Sequence, residues 1–280
     1  MTRGYLTFAQ NNGQTDYLNL AYLQAMSIKA TQQINNYTVV VDEYTGSLVT
    51  EKHLKVFDHV VAIPGGDDAA MDSWKLKNEW KALAATPYDE TVKVEADMLF
   101  TSSVDHWWDI MAQQDVCFTT DVVDYRGAVA SNRAYRRIFD QNGLLNVYTG
   151  FYYFKRSQRA ARLFDYARLV YANWSLFSKE ILKGHKEQGP DTDLVFAIAA
   201  KLCGDRGLYN AAAPVPRFAH MKGAINGWEP NRDWRTVVHH QFDQSTLTVG
   251  FTRQQVPFHY HYKNFATPNL IDHYEQLLSN

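Results

Sequence analysis

The first hundred residues alternate between short runs that suit buried strands and longer runs with helical spacing, and this alternation restricts the fold more than any other feature. "GYLTFAQ", "YTVVVDE", "HLKVFDHVVAIP" and "ETVKVEADMLF" are strand-like, rich in β-branched or aromatic residues and stopped by polar residues, proline or glycine. After the first comes "LNLAYLQAMSIKATQ", where Leu20, Leu23 and Ile28 share a helical face with Ala21 and Ala25 nearby. Before the fourth comes "DSWKLKNEWKALAAT", read as a helix capped by Asp72 or Ser73 and closed ahead of Pro87. Strands that alternate with helices pair in parallel, so an α/β fold is expected, with a mostly parallel central sheet flanked by helices.

Beyond residue 100 the pattern loosens. "VDHWWDIMAQ" is helical in spacing, while "DVCFTTDVVDY" and "NVYTGFYYFKRS" are strand-like, and Gly150 within the latter marks a close backbone approach. Two helices follow, in "RAARLFDYARLVYANW" and "PDTDLVFAIAAKLC". After about residue 210, prolines, aromatics and histidines appear without periodicity, repeat or linker. A single domain 1–280 is expected, with an α/β core over 1–210 and an irregular C-terminal extension over 211–280. A formal charge of −2 excludes a global basic field for nucleic acid. Two cysteines, Cys117 and Cys203, make neither a disulfide framework nor a zinc pattern, so a reducing compartment is expected. With no signal peptide and no apolar run of membrane-spanning length, the expectation is a soluble cytoplasmic protein with no membrane partner.

Open α/β sheets bind ligands beyond the carboxyl ends of their strands. That edge gathers Gln10, Asn11 and Asn12 after the first strand, Asp42 after the second, and Glu95-Ala96-Asp97 at the fourth. Residues two apart on a strand share a face, so Glu95 and Asp97 can address one ligand. Their hard oxygens suit Mg²⁺ or Mn²⁺, ions that bridge to phosphate; a solvated acidic strand end is the alternative. "FAHMKGAINGW" adds His220, whose imidazole is compatible with Mn²⁺, and Gly223, where backbone amides can reach a phosphate.

Acid-Ala-Asp after a strand, followed far downstream by His-x-x-Gly-x-x-x-x-Trp, resembles the glycogenin-like glycosyltransferases of family 8. "NVYTGFYYFKRS" is similar to that family's Asn-x-Gly-hydrophobic strand, and "GPDTDLVFAIA" to its Asp-Gln-Asp helix start. The resemblance touches most of the chain from residue 5 to 228, and its two metal-site motifs are the specific part. It implies a GT-A (Rossmann-like) fold, a nucleotide-diphosphate sugar as donor (a UDP-sugar expected), a divalent metal (Mn²⁺ or Mg²⁺) and retention of anomeric configuration. By the same resemblance Asp97 and His220 bind the metal. Glu95 replaces the family's first Asp, which serves the metal and the donor ribose. Gly223 should lie against the diphosphate. Asn226 stands where the family has a phosphate-neutralising lysine, and Gly227 where it has proline. Lys222 and Lys77 are the nearest substitutes for that charge; Lys77 faces the donor by the resemblance or is one solvated lysine among several in "KLKNEWK". Asp191 and Asp193 are the catalytic candidates, orienting sugar hydroxyls or sitting beneath the anomeric carbon, with helix capping after Pro190 as the alternative use.

The C-terminal runs "NRDWRTVVHHQFD" and "FTRQQVPFHYHYKNF" mix cations with aromatic rings. Such a mixture can grip a flipped nucleotide, or it can pack as irregular surface on the sheet. The compact chain is also similar, without a shared motif, to small phage-encoded glycosyltransferases that decorate hydroxymethylated bases in viral DNA. That likeness implies a DNA acceptor and a host-cytoplasm location. Two other functions fit parts of the sequence. A non-catalytic GT-A-like protein that binds nucleotide sugars is suggested by Asn226. A metal-dependent nucleotidyltransferase would use the same acids, but it lacks a glycine-rich basic loop, since "PGGDD" is acidic.

Overall fold

The structure is a computed structural model that describes residues 1–72, 75–130, 136–184, 189–204 and 215–279. In chain order the first strands are β1 (Arg3–Ala9), β2 (Tyr37–Val41), β3 (His59–Ala62), β4 (Glu90–Val94), β5 (Met98–Leu99), β6 (Val116–Thr119) and β7 (Tyr148–Lys155). All but β5 join one sheet in the order β3-β2-β1-β4-β7-β6. The pairs β3–β2, β2–β1 and β1–β4 are parallel, and β7 runs against both of its neighbours. The sheet is therefore mostly parallel, with β7 reversed.

Four longer helices cover it: α1 (Tyr17–Thr31), α2 (Gln158–Ala172), α3 (Thr192–Cys203) and α4 (Pro268–Ser279). Helices α1 and α4 pack on the face that carries Tyr5, Val39 and Val92, and α2 and α3 on the face that carries Leu6, Val40 and Phe154. Covering both faces explains why β2 and β4 are buried along their whole length; β2 reads as a nearly continuous apolar run, whereas in β4 the buried Lys93 pairs with the buried Glu79.

Three sequence expectations change in detail. The run "ETVKVEADMLF" is two strands, because the ladder to β7 ends at Val94↔Phe151 and β5 belongs to another sheet. Glu95, Ala96 and Asp97 thus form the crossing between two sheets rather than a strand face. The segment before it is a 3₁₀ helix over Lys75–Lys81 with one α turn at Ala82–Ala85; Ser73 lies outside the described residues. Its anchors recur every third residue. The Lys75 ammonium donates to the Ala69 carbonyl at 2.8 Å, the Asn78 amide to Gln10 Oε1 at 2.9 Å, and Lys81 to the Gly66 carbonyl. That period matches a three-residue turn, not one of 3.6.

The C-terminal region is also more ordered than its sequence pattern. It forms β8 (Ala219–His220), a meander of β9 (His240–Asp243), β10 (Thr246–Val249) and β11 (Thr252–Arg253), and then β12 (Phe258–His259). Helix α4 starts with Pro268 at its first position and buries Leu270, Ile271 and Tyr274 against the α1 side of the core.

Candidate functional site

The site is built where β4 gives way to β5. Glu95 makes the last contact with β7, its backbone N–H donating to the Gly150 carbonyl at 2.9 Å. A Cβ at Gly150 would lie 3.2 Å from the Phe218 ring and 3.3 Å from Glu95 Oε2, so glycine there lets the acid lie flat on β7. From the other side Gln24 of α1, 1% exposed, holds the turn. Its amide donates to the carbonyls of Glu95 (2.5 Å) and Met98 (3.0 Å), while its oxygen accepts from Thr7 Oγ1 (2.5 Å) and the Tyr37 hydroxyl (2.8 Å). A fully bonded buried amide of this kind is what keeps an irregular turn in one geometry.

Strand β12 lies between β5 and β8, in register His259↔Met98 and His259↔His220. It is thus inserted between the two halves of the motif found in the sequence. Cross-strand pairing places the His220 and His259 rings in a stack, with centroids 4.5 Å apart and planes 5° apart. His259 Nε2 lies 2.9 Å from Asp97 Oδ2 and 3.3 Å from Glu95 Oε2. His261 has φ 57°, a left-handed backbone that is costly for a non-glycine residue and recurs at functional sites. Lys263, next in the alternation, pairs with Asp97 Oδ2.

Asp97, His259 and His261 each offer a ligand atom, and these atoms lie within 4.8 Å of one another. One carboxylate and two imidazoles are a donor set for a divalent ion such as Mn²⁺. Protonation agrees with that use. Burial alone would raise the Asp97 carboxyl, but His259 and Lys263 hold it well below the usual carboxylate range. Burial, followed by the nearby His259, pushes His261 down to about 4, so its ring is neutral and able to ligate at neutral pH. Burial and His259 likewise push His220 well below the ordinary imidazole range. The Nδ1 atoms of His220 and His259 are buried without a hydrogen-bond partner, orphaned polar atoms that a bound ion or ligand would explain. The residues present fit a divalent metal.

The cluster opens on a cavity of about 420 Å³. Of the residues singled out in the sequence, Gln10, Asn12, Glu95, Asp97, Gly150, Asp191, Asp193, His220 and Lys222 line it. Others serve structure. Asn11 accepts from the Leu18 backbone N–H at 2.9 Å, at the start of α1. Asp42 caps the short helix Glu43–Ser47. Lys77 pairs with Asp72, and Lys75, two residues earlier on the 3₁₀ turn, lines the cavity instead. Gly223 is explained by its own loop, because a Cβ there would meet the Trp228 and Glu229 carbonyl oxygens at 2.6 and 2.7 Å. The Asn226 amide donates to the carbonyls of His220 and Lys222, both at 2.9 Å, which ties down the turn after β8.

The two acids at the start of α3 have different surroundings. Asp191 caps the helix, accepting from the Leu194 N–H at 3.2 Å, and burial together with Asp193 raises its pKa. Asp193 is held by Arg136 and by the Thr149 backbone N–H (2.8 Å) and hydroxyl (2.7 Å), which outweigh burial and lower its pKa. His259, His261 and Lys263 were not singled out from the sequence. The signal for them is "HYHYK", in which every second residue is a base, although only His259 lies on a strand and the chain turns left-handed at His261.

No family model matches this sequence. No curated protein sequence matches it either. Solved structures do. The galactosyltransferase LgtC, in complex with donor and acceptor sugar analogues, superposes with a TM-score of 0.54 at 11% identity, covering 99% of this chain and 95% of that one. An active-site mutant of LgtC gives 0.51 over the same shares and at the same identity. The mouse xyloside xylosyltransferase 1, in its apo form, gives 0.45 at 8% identity, over 75% of this chain and 84% of that one. The likeness to LgtC is one of fold, and the fold of this chain is that of the GT-A glycosyltransferases.

Proposed function

We propose that the protein is a metal-dependent glycosyltransferase that moves a sugar from a nucleotide-diphosphate sugar, expected to be a UDP-sugar, to a hydroxyl acceptor. The observation that carries this reading is the Asp97–His259–His261 cluster, which lines a cavity together with Glu95 and Asp191, on a GT-A fold. Asp97, His259 and His261 would hold the metal, with His220 stacked behind His259 as a further ligand or support. A divalent ion there would supply Lewis-acid stabilisation of the negative charge that builds on the leaving diphosphate. Glu95, which lines the cavity, is proposed to orient the donor ribose. Asp191, which lines the same cavity, is proposed to address the sugar, because Asp193 is engaged with Arg136 and Thr149. Retention of configuration follows from the family resemblance.

The acceptor is proposed as a hydroxyl compound, and a hydroxymethylated base in viral DNA remains the named candidate. Its support has narrowed. His259, His261 and Lys263 line the cavity instead of forming an outer surface, which leaves Arg232 and His239 exposed in "NRDWRTVVHHQFD" and Phe251 and Arg253 exposed in the β10–β11 hairpin. Release of nucleoside diphosphate from a nucleotide sugar, assayed with Mn²⁺ and with excess chelator, tests the reading. Metal-dependent release that is lost in Asp97→Ala and His259→Ala supports it; full activity of both variants contradicts it. Release of pyrophosphate instead would mark a nucleotidyltransferase.

A further inference from the structure

The family resemblance expects a lysine at position 226, where Asn226 is committed to the carbonyls of His220 and Lys222. A different lysine reaches the centre of the site. Lys263 meets Asp97 at Oδ2, the same oxygen that lies 2.9 Å from His259 Nε2. We propose that Lys263 changes partners as ligands bind: it neutralises Asp97 until a divalent cation takes that carboxylate, and it then binds the diphosphate of the nucleotide sugar. This inference rests on the reading of the site given above.

The geometry favours the exchange. A divalent ion among Asp97, His259 and His261 would stand beside the Lys263 ammonium, and two cations sharing one carboxylate repel. The carboxylate cannot leave, because the Asp97 side chain is 4% exposed and its backbone carbonyl accepts from the Tyr260 N–H at 3.2 Å. The lysine can, because its side chain is 32% exposed and ends at the cavity lining. Displaced, it needs another anion. Glu95 is one within electrostatic reach, and a phosphate oxygen drawn in with the metal is the other. A compact ammonium on a flexible stem suits phosphate. Lys263 would thereby supply, from the segment after β12, the charge that position 226 lacks.

Titration of Mn²⁺ followed by the electron paramagnetic resonance of the free ion, on wild type, Lys263→Met and Lys263→Gln, separates the possibilities. Each protein is titrated alone and with UDP, and UDP affinity is read at saturating Mn²⁺. Loss of a competing cation should tighten Mn²⁺ binding without nucleotide, and loss of a charged hydrogen bond should weaken UDP binding, each by about tenfold or more. Lys263→Arg should keep UDP affinity within a few-fold of wild type. A merely structural lysine would move both affinities the same way, and that result overturns the inference. Unchanged UDP affinity in both variants overturns it too, since Glu95 would then be the second partner. A wild-type protein that binds neither Mn²⁺ nor UDP overturns the underlying reading of the site.

Discussion

Gln24 never approaches a ligand position, yet its amide joins the Glu95 and Met98 carbonyls to Thr7 and Tyr37 across the core. Leucine at this position keeps the bulk and strips those partners. Each buried group left unpaired costs about 1–3 kcal/mol. Gln24→Leu should therefore unfold at least about 2 kcal/mol more easily in urea and bind Mn²⁺ more weakly, and a variant with the wild-type denaturation midpoint would contradict the role given to the turn. Gly150→Ala makes a narrower claim. Its methyl would press on Phe218 and Glu95, with an overpacking cost of about 1–3 kcal/mol that falls at the acid turn. At this scale the sequence was partly legible. Asp97 stood out because acid-x-acid at a strand end has chemical meaning on its own, and Gly150 because a glycine inside a strand needs a reason. His259 and His261 did not stand out, since the spacing from His220 to Trp228 completed a pattern that left no place for a third element. Only the fold brings them to Asp97: β12 seats His259 between Met98 and His220, and the turn that follows carries His261 and Lys263 to the carboxylate.

The start of α3 carries two acids that the sequence left with two possible uses, capping and catalysis. Asparagine caps helices as well as aspartate does, so Asp191→Asn separates them. It should stay within about 0.5 kcal/mol of wild-type stability and lose transfer by about 10²–10³-fold, the range for removing one charge-stabilising group. Unimpaired transfer would leave Asp191 a cap alone. Asp193 belongs to stability. Burial works against its charge, but Arg136 and Thr149 prevail, so its folded pKa lies below the unfolded value of about 3.9. A depressed carboxyl contributes fully above the unfolded value and loses that contribution as pH falls through the folded one. Asp193→Asn should therefore be less stable than wild type at neutral pH, with the gap closing in thermal melts taken below about pH 4; parallel curves down to pH 2 would contradict the assignment. Element boundaries misled where local pattern and tertiary demand disagree. "KLKNEWK" has a composition that suits an α-helix, but anchors to Ala69, Gln10 and Gly66 draw it into a 3₁₀ turn, and Lys77 is turned toward Asp72.

On the scale of the whole molecule, the fold class could be read from the alternation of strand and helix, because a parallel sheet covered on both faces forces long apolar strands with helices between them. The order β3-β2-β1-β4 could not be read there, because alternation leaves open which strands are neighbours. The C-terminal segment could not be read so well. Its strands are two to four residues long, too short for periodicity, and β12 is held by a partner more than a hundred residues away, Phe258 with Leu99. Helix α4 was within reach, for "PNLIDHYEQLLS" sets Leu270, Ile271 and Tyr274 on one face. That segment closes the site, so the fold and one of the three candidate metal ligands, Asp97, were legible separately, and their junction was not. The central claim is that this junction is a divalent-cation and nucleotide-sugar site. The most direct measurement is a thermal-shift panel of nucleotide sugars, with Mn²⁺ and with excess chelator, on wild type and Asp97→Ala, since a ligand that binds only the folded state raises the melting temperature. We predict that a UDP-sugar raises the melting temperature of wild type only when Mn²⁺ is present and leaves Asp97→Ala unmoved. An equal shift in chelator, or in Asp97→Ala with Mn²⁺, would contradict the claim.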